Sequence, residues 1–280
     1  IETMVDIYEA KAAVLAAKEN STLPVICTVT FQEDKRMLTG TDILGAVTIL
    51  ESLGVDALGV NCSLGPKELI PIVDELLQYS KTPVIVQPNA GLPKMINGNT
   101  VFDLSADEYS SVMEDFARKG VSIIGGCCGT DERFIKSIHD KLIGFSPVSR
   151  DVQPGSIIAT ATKCVDLDDG IKVIGERINP TGKKKLKEAL INDNMEYILR
   201  EAVTQKEKGA DILDVNVGLP EINEPVVIAS AVKEIQSIVD LPLQIDSSDP
   251  EAIEAALRIY NGKAVINSVN GKTEIMDTIF

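Results

Sequence analysis

Short unbroken apolar runs alternate with segments of helical period along the whole chain. Eight runs read as strands: 23–31 (LPVICTVTF), 57–63 (ALGVNCS), 83–89 (PVIVQPN), 123–128 (IIGGCC), 172–178 (KVIGERI), 212–218 (ILDVNVG), 243–248 (LQIDSS) and 264–270 (AVINSVN). They are continuous in Val, Ile and Leu rather than alternating apolar with polar, the pattern of strands buried on both faces of a parallel sheet. Between them, apolar positions recur at i, i+3 and i+4 in ILGAVTILESLG, ELIPIVDELLQ, YILREAVTQKEKG and AIEAALRIY. Gly54, Gly120 and Gly209 stand where three helices need a left-handed closing residue. Repeated βα units predict a parallel α/β architecture.

By count, eight strands and about eight helices match one (β/α)8 barrel of the TIM type. The stretch 144–171 argues against it. It lacks both periods, carries Pro147, Pro154, Gly155 and Gly170, and is long for a loop inside a barrel. It reads as an interdomain linker, with four βα units in 1–143 and four in 172–280.

Both ends fall inside amphipathic patterns, IETMVDIYEA at the start and TEIMDTIF at the finish, which suggests an excised piece without a signal peptide. The 44% apolar and 25% charged content is that of a globular protein. With 27 basic against 42 acidic residues the net charge is −15, which argues against a nucleic-acid surface. No apolar stretch approaches the roughly 18–20 residues that span a bilayer. Five cysteines, two of them adjacent, do not suit a disulfide scaffold. Reduced thiols in a cytoplasm fit better.

Polar residues gather at the C-terminal strand ends, where parallel α/β folds bind ligands. Cys62 ends one strand, and GGCCGT (125–130) ends another. Three thiolates converging there suit zinc, with one position open as in catalytic sites. Gly125, Gly126 and Gly129 give the backbone room to turn both Cys127 and Cys128 inward. The competing reading is buried cysteines acting as small hydrophobes. Cys27 and Cys164 lack a glycine frame and are assigned to core and linker. The only histidine, His139, lies in a helical run, RFIKSIHDKL, and is read as a surface residue. Neither a dinucleotide fingerprint nor a Walker loop is present.

The combination VNCS, PNAG and GGCCGT resembles homocysteine methyltransferase barrels. GERINPTGKKK, DVNVG, IDSS and INSVNG resemble the start of a pterin-binding barrel of the dihydropteroate-synthase and methyltetrahydrofolate-methyltransferase type. In that order, joined by a linker, they resemble the cobalamin-dependent methionine synthase family over essentially the whole chain. The resemblance implies the C-terminal half of a homocysteine-binding zinc barrel (1–143), a linker (144–171) and the N-terminal half of a pterin-binding barrel (172–280). It implies Zn2+ on Cys62, Cys127 and Cys128, with Asn89 lining that site. Pterin or folate contacts fall on Glu176, Asn179, Asp214, Asn216, Asp246 and Asn267. A methyl group would pass from 5-methyltetrahydrofolate through cobalamin, held by a domain outside this chain, to zinc-bound homocysteine thiolate. The products are methionine and tetrahydrofolate.

From the residues alone, Asn89 serves equally as a turn cap, and Asp246 as the cap of a helix starting near Pro250. The run GKKKLK (182–187) reads as a solvated face or an attraction for a folate glutamate tail. Two alternative functions are a zinc-thiolate methyltransferase for another thiol and a non-catalytic zinc-binding piece. Two separate half barrels are expected over a hybrid barrel, with open sheet edges.

Overall fold

A computed structural model describes residues 1–153 and 155–279 and divides into two compact units, Ile1–Pro154 and Gly155–Phe280.

The first unit opens with α1 (Ile7–Asn20), followed by β1 (Ile26–Val29), α2 (Ile43–Ser52), β2 (Ala57–Asn61), α3 (Ile70–Tyr79) and β3 (Val84–Gln87). A small hairpin, β4 (Lys94–Ile96) and β5 (Asn99–Val101), precedes α4 (Ala106–Lys119), β6 (Ile123–Ile124) and α5 (Glu132–Leu142). The main sheet is parallel in the order β1-β2-β3-β6. Every residue of β2 is buried, as its unbroken apolar run requires. The outer strands leave Ile26 and Ile123 partly open. Residues 1–4 lie along the outer edge of β1, bridging Met4 to Val29 in parallel and donating the Met4 N–H to the Thr28 carbonyl at 3.2 Å. That edge is therefore less open than the half-barrel expectation had it.

Local chemistry fixes the helix ends. Ser105 and Glu108 form a reciprocal capping box on α4, and Gly120 closes it at φ 113°. Gly54 and Gly209 also take positive φ. Beyond α5 the chain turns back beneath the sheet, where Arg150 donates to the carbonyls of Leu77 (2.9 Å), Ser80 (2.6 Å) and Thr82 (2.8 Å). Glu51 takes the Lys81 and Thr82 N–H groups of the same turn, both at 2.9 Å.

The second unit begins with an antiparallel hairpin, β7 (Ile157–Ala159) and β8 (Cys164–Asp166). Its parallel sheet uses β9 (Ile174–Ile178), β10 (Ile212–Val215), β11 (Leu243–Asp246) and β12 (Val265–Asn267) in the order β12-β11-β10-β9. Helices α6 (Lys184–Ile191), α7 (Met195–Glu207), α8 (Glu224–Ile238), α9 (Pro250–Ile259) and α10 (Thr273–Ile279) intervene. Each four-stranded sheet draws its strands from one unit. All eight strands expected from apolar runs are present; the two hairpins are additional, and one lies in the stretch read as aperiodic. Cys164 sits in β8, inside the stretch read as a linker.

The β7–β8 hairpin seats Ile158 and Val165 against Ile212, and the Tyr260 hydroxyl donates to the Ala159 carbonyl at 2.9 Å. The register between β9 and β10 shifts by one residue near Glu176. The Arg177 N–H there donates to Gln205 Oε1 at 2.8 Å. A bulge of this kind re-aims side chains beside a site.

Candidate functional site

In the first unit the Sγ atoms of Cys62, Cys127 and Cys128 all lie within 4.8 Å of one another. Cys62 Sγ is 3.8 Å from Cys128 Sγ. Four sulfurs around a zinc at a bond length of about 2.3 Å would be spaced about 3.8 Å apart, so this pair already stands at a tetrahedral edge. Among the described residues this is the one group of three or more His, Cys, Asp or Glu side chains able to hold a metal.

Backbone geometry produces the convergence. Cys62 and Ser63 take φ of 61° and 59°, a left-handed pair costing roughly 1–2 kcal/mol per residue. The turn swings Cys62 off its strand while its N–H still reaches the Gln87 carbonyl at 3.0 Å. On the other side, Gly129 has φ 82°, and a Cβ there would lie 2.4 Å from the Phe102 ring. A Cβ on Gly126 would meet Thr130 Oγ1 at 2.5 Å. Below the loop the Tyr109 hydroxyl contacts the carbonyls of Pro88 and Gly125, both at 3.0 Å. Burial holds that hydroxyl firmly in its protonated, donating form.

Asn89, at the end of β3, accepts the Cys128 N–H at 3.1 Å and donates its own N–H to the Leu64 carbonyl at 3.0 Å. It therefore ties the two sulfur-bearing loops together. The hydrogen bond shared with the neighbouring Cys62 sulfur, then burial, push the Cys128 thiol up to about 11. Crowded thiols without a cation resist ionisation in this way. Cys27 is fully buried in β1, where desolvation raises its thiol to about 11, an inert core residue.

Beside the sulfurs, Gln32, Glu33, Asp34, Ser63 and Leu64 line an open cleft of about 460 Å³. His139 is 70% exposed on α5 and contacts Asp140. It faces solvent.

The second unit gathers its polar groups at the C-terminal ends of β9–β12. Asp214, 1% exposed, accepts from Gln244 Nε2 at 2.5 Å, while its other carboxylate oxygen is buried without a hydrogen-bond partner. Its pKa is raised to about 6, chiefly by desolvation; the charges of Asp246 and Glu176 add to the rise, and the Gln244 and Asn267 side chains oppose it. Asp246 accepts from Asn216 Nδ2 at 3.1 Å; the cap of α9 is Asp249 instead. Lys183 Nζ reaches Glu176 Oε2 at 3.3 Å and the Asn179 carbonyl at 3.0 Å. Asn179 itself accepts the Thr181 N–H at 3.0 Å.

The six polar residues expected at this site thus belong to one neighbourhood. Gln244 and Lys183 join them without having been anticipated. Gln244 is the one polar residue inside the apolar half of its strand, a readable signal. Lys183 differs from its basic neighbours only by folding back: its side chain is 24% exposed, against 91% for Lys184.

Two family models match. Residues 1–142 match homocysteine S-methyltransferase, and residues 175–279 match pterin-binding enzymes. The methionine synthases of Mycobacterium tuberculosis and Mycobacterium leprae are each 32% identical across 96% of this chain. The chain spans 23% and 24% of the length of those relatives. The carboxyl transferase domain of Rhizobium etli pyruvate carboxylase is 11% identical with a TM-score of 0.27, over 94% of this chain and 41% of that one, too slight a likeness to argue from. Matched by its family model over just over half of its length, the chain belongs to the homocysteine S-methyltransferase family.

Proposed function

We propose that this chain supplies the thiol-binding and folate-binding parts of a methyltransferase. In the whole enzyme the methyl group of 5-methyltetrahydrofolate passes, by way of cobalamin held outside this chain, to the thiol of homocysteine, giving methionine and tetrahydrofolate. The observation that carries this reading is the convergence of three sulfurs from two strand ends. On this reading 1–143 is the later half of a homocysteine-binding barrel, 172–280 the first half of a pterin-binding barrel, and 144–171 their connection.

The donor set fits zinc: three thiols within 4.8 Å of one another, one pair at tetrahedral spacing, held by Asn89 and the glycine loop. Bound there, zinc supplies the Lewis acidity that keeps a substrate thiol ionised at neutral pH. Cys62, Cys127 and Cys128 hold the ion, and Asn89 lines the site. The carboxylates of Glu33 and Asp34 in the adjoining cleft suit a substrate carrying an ammonium group.

Asp214 offers a dry acceptor whose free oxygen matches the N–H edge of a pterin ring. Asp246 and Asn216 extend that donor and acceptor pattern. Asn267 lies near enough to Asp214 to favour its charged form and is assigned to the pterin N5 region. Glu176 and Asn179, steadied by Lys183, complete the lining.

No helix among the described residues is long and apolar enough to cross a membrane. Thiols kept reduced to hold a metal suit a reducing, cytoplasmic setting.

Zinc content of the purified chain tests the reading. About one zinc per chain is expected, lost in a Cys127→Ser, Cys128→Ser double variant, with tetrahydrofolate binding retained. Wild-type protein that takes up no zinc overturns it. Homocysteine that leaves the spectrum of a cobalt-substituted site unchanged, while another thiol alters it, favours a different acceptor. No response to any thiol indicates a metal site without turnover.

A further inference from the structure

Asn61 ends β2 immediately before Cys62 and is 1% exposed. Its oxygen accepts the Thr3 backbone N–H at 2.8 Å and the Thr28 hydroxyl at 2.7 Å. A backbone N–H can only donate, so the atom facing Thr3 N is fixed as oxygen, and the orientation of the amide follows. Its nitrogen then points two N–H bonds at Thr3 Oγ1, 2.7 Å away, and at Cys127 Sγ, 3.8 Å away. All four hydrogen-bonding positions of the carboxamide are filled. A buried group of this kind cannot rotate without leaving donors unpaired.

We propose that Asn61 is a positioning residue of the sulfur site, donating an N–H to Cys127 Sγ that fixes where this sulfur points and withdraws charge from it. The proposal rests on the reading that these cysteines hold zinc. A donor to a metal thiolate makes the sulfur a weaker electron source, leaving the metal a stronger acid toward the incoming thiol. The rival role is purely structural: a strand-end staple joining residues 1–4 to β1.

Cobalt(II) titration of the full chain separates the two. Wild type, Asn61→Ala, Asn61→Asp and Thr28→Val are compared for the energy of the sulfur-to-cobalt charge-transfer band and for affinity against a chelator. Both Asn61 variants are expected to move the band to longer wavelength and to lose about tenfold in affinity. Thr28→Val breaks the same network away from the sulfur, so it lowers the thermal midpoint while band and affinity stay at wild-type values. An unmoved band in folded Asn61 variants overturns the proposal, as does an equal shift in Thr28→Val. Should the Asn61 variants fail to fold, the wild-type chain labelled with nitrogen-15 answers instead. Its Asn61 amide proton is expected to move downfield on loading with cadmium(II), and an unmoved resonance overturns the proposal. Wild type that binds neither metal overturns the zinc reading along with this one, whereas metal bound without these signatures overturns this inference alone.

Discussion

Cys62 and Cys128 are 66 residues apart in sequence and 3.8 Å apart at their sulfurs. Their strands, β2 and β6, are not neighbours; β3 runs between them. Two strand spacings amount to about 9.6 Å, so both cysteines must lean over the end of β3 to meet. The left-handed turn at Cys62 provides one lean and the glycine-framed loop the other. Asn89, at the end of β3, stands beneath the gap and holds the backbone of Cys128.

Gly129→Ala tests whether that lean depends on backbone freedom. The positive φ alone costs an alanine about 1–2 kcal/mol, and the clash with Phe102 adds to it. Zinc affinity, measured against a competing chelator, should fall at least tenfold. Adding Phe102→Ala clears space but leaves the dihedral penalty, so recovery should be partial. Full recovery would show that crowding, not conformation, governs the loop.

Asp214 makes the second unit sensitive to pH. Its folded pKa of about 6 lies above the ordinary 3.8, so the fold favours the neutral acid. The associated stabilisation is fully present below 3.8 and is lost as pH rises through about 6. Asp214→Asn should therefore stabilise the unit by about 1–3 kcal/mol at pH 8 and by little at pH 4, read by urea denaturation at both pH values. Tetrahydrofolate binding by the wild type should weaken below pH 6, because the carboxylate that accepts the pterin N–H becomes protonated. In the variant it should be weak at every pH.

Arg150 closes the underside of the first unit. Removing its three hydrogen bonds to Leu77, Ser80 and Thr82 leaves those carbonyls short of donors. Arg150→Ala should destabilise this unit by about 1–3 kcal/mol without altering zinc stoichiometry. A parallel loss of zinc would mean that the two ends of the sheet are coupled.

The inner strands of the first sheet were legible because burial on both faces forces an uninterrupted apolar run, as in LGV of β2 and VIV of β3; β6, β9 and β12 kept short apolar runs although they are less buried. The β4–β5 hairpin was not, because all six of its residues are exposed and carry no burial pattern. Its one signal was the Asn97-Gly98 pair, which takes φ of 51° and 79°, the dipeptide favoured in tight hairpin turns. The convergence of the three sulfurs could be read because Cys127 and Cys128 stand in a glycine frame at a strand end, as Cys62 stands at another. Asn61 could not be assigned a role, since that role depends on Thr3 and Thr28 arriving from elsewhere in the fold. Lys183 was hidden within a basic run whose other members face water.

The clasp of Glu51 and Arg150 on the Ser80–Thr82 turn lies at the opposite end of β3 from the cysteines. The chain leaving the first unit is thus anchored at the end remote from the sulfurs. Tension on that segment would load a helix-to-strand turn braced by a carboxylate and a guanidinium before it reached the glycine loop. A pull or swing of the tether is therefore received at the end of the sheet remote from the three sulfurs.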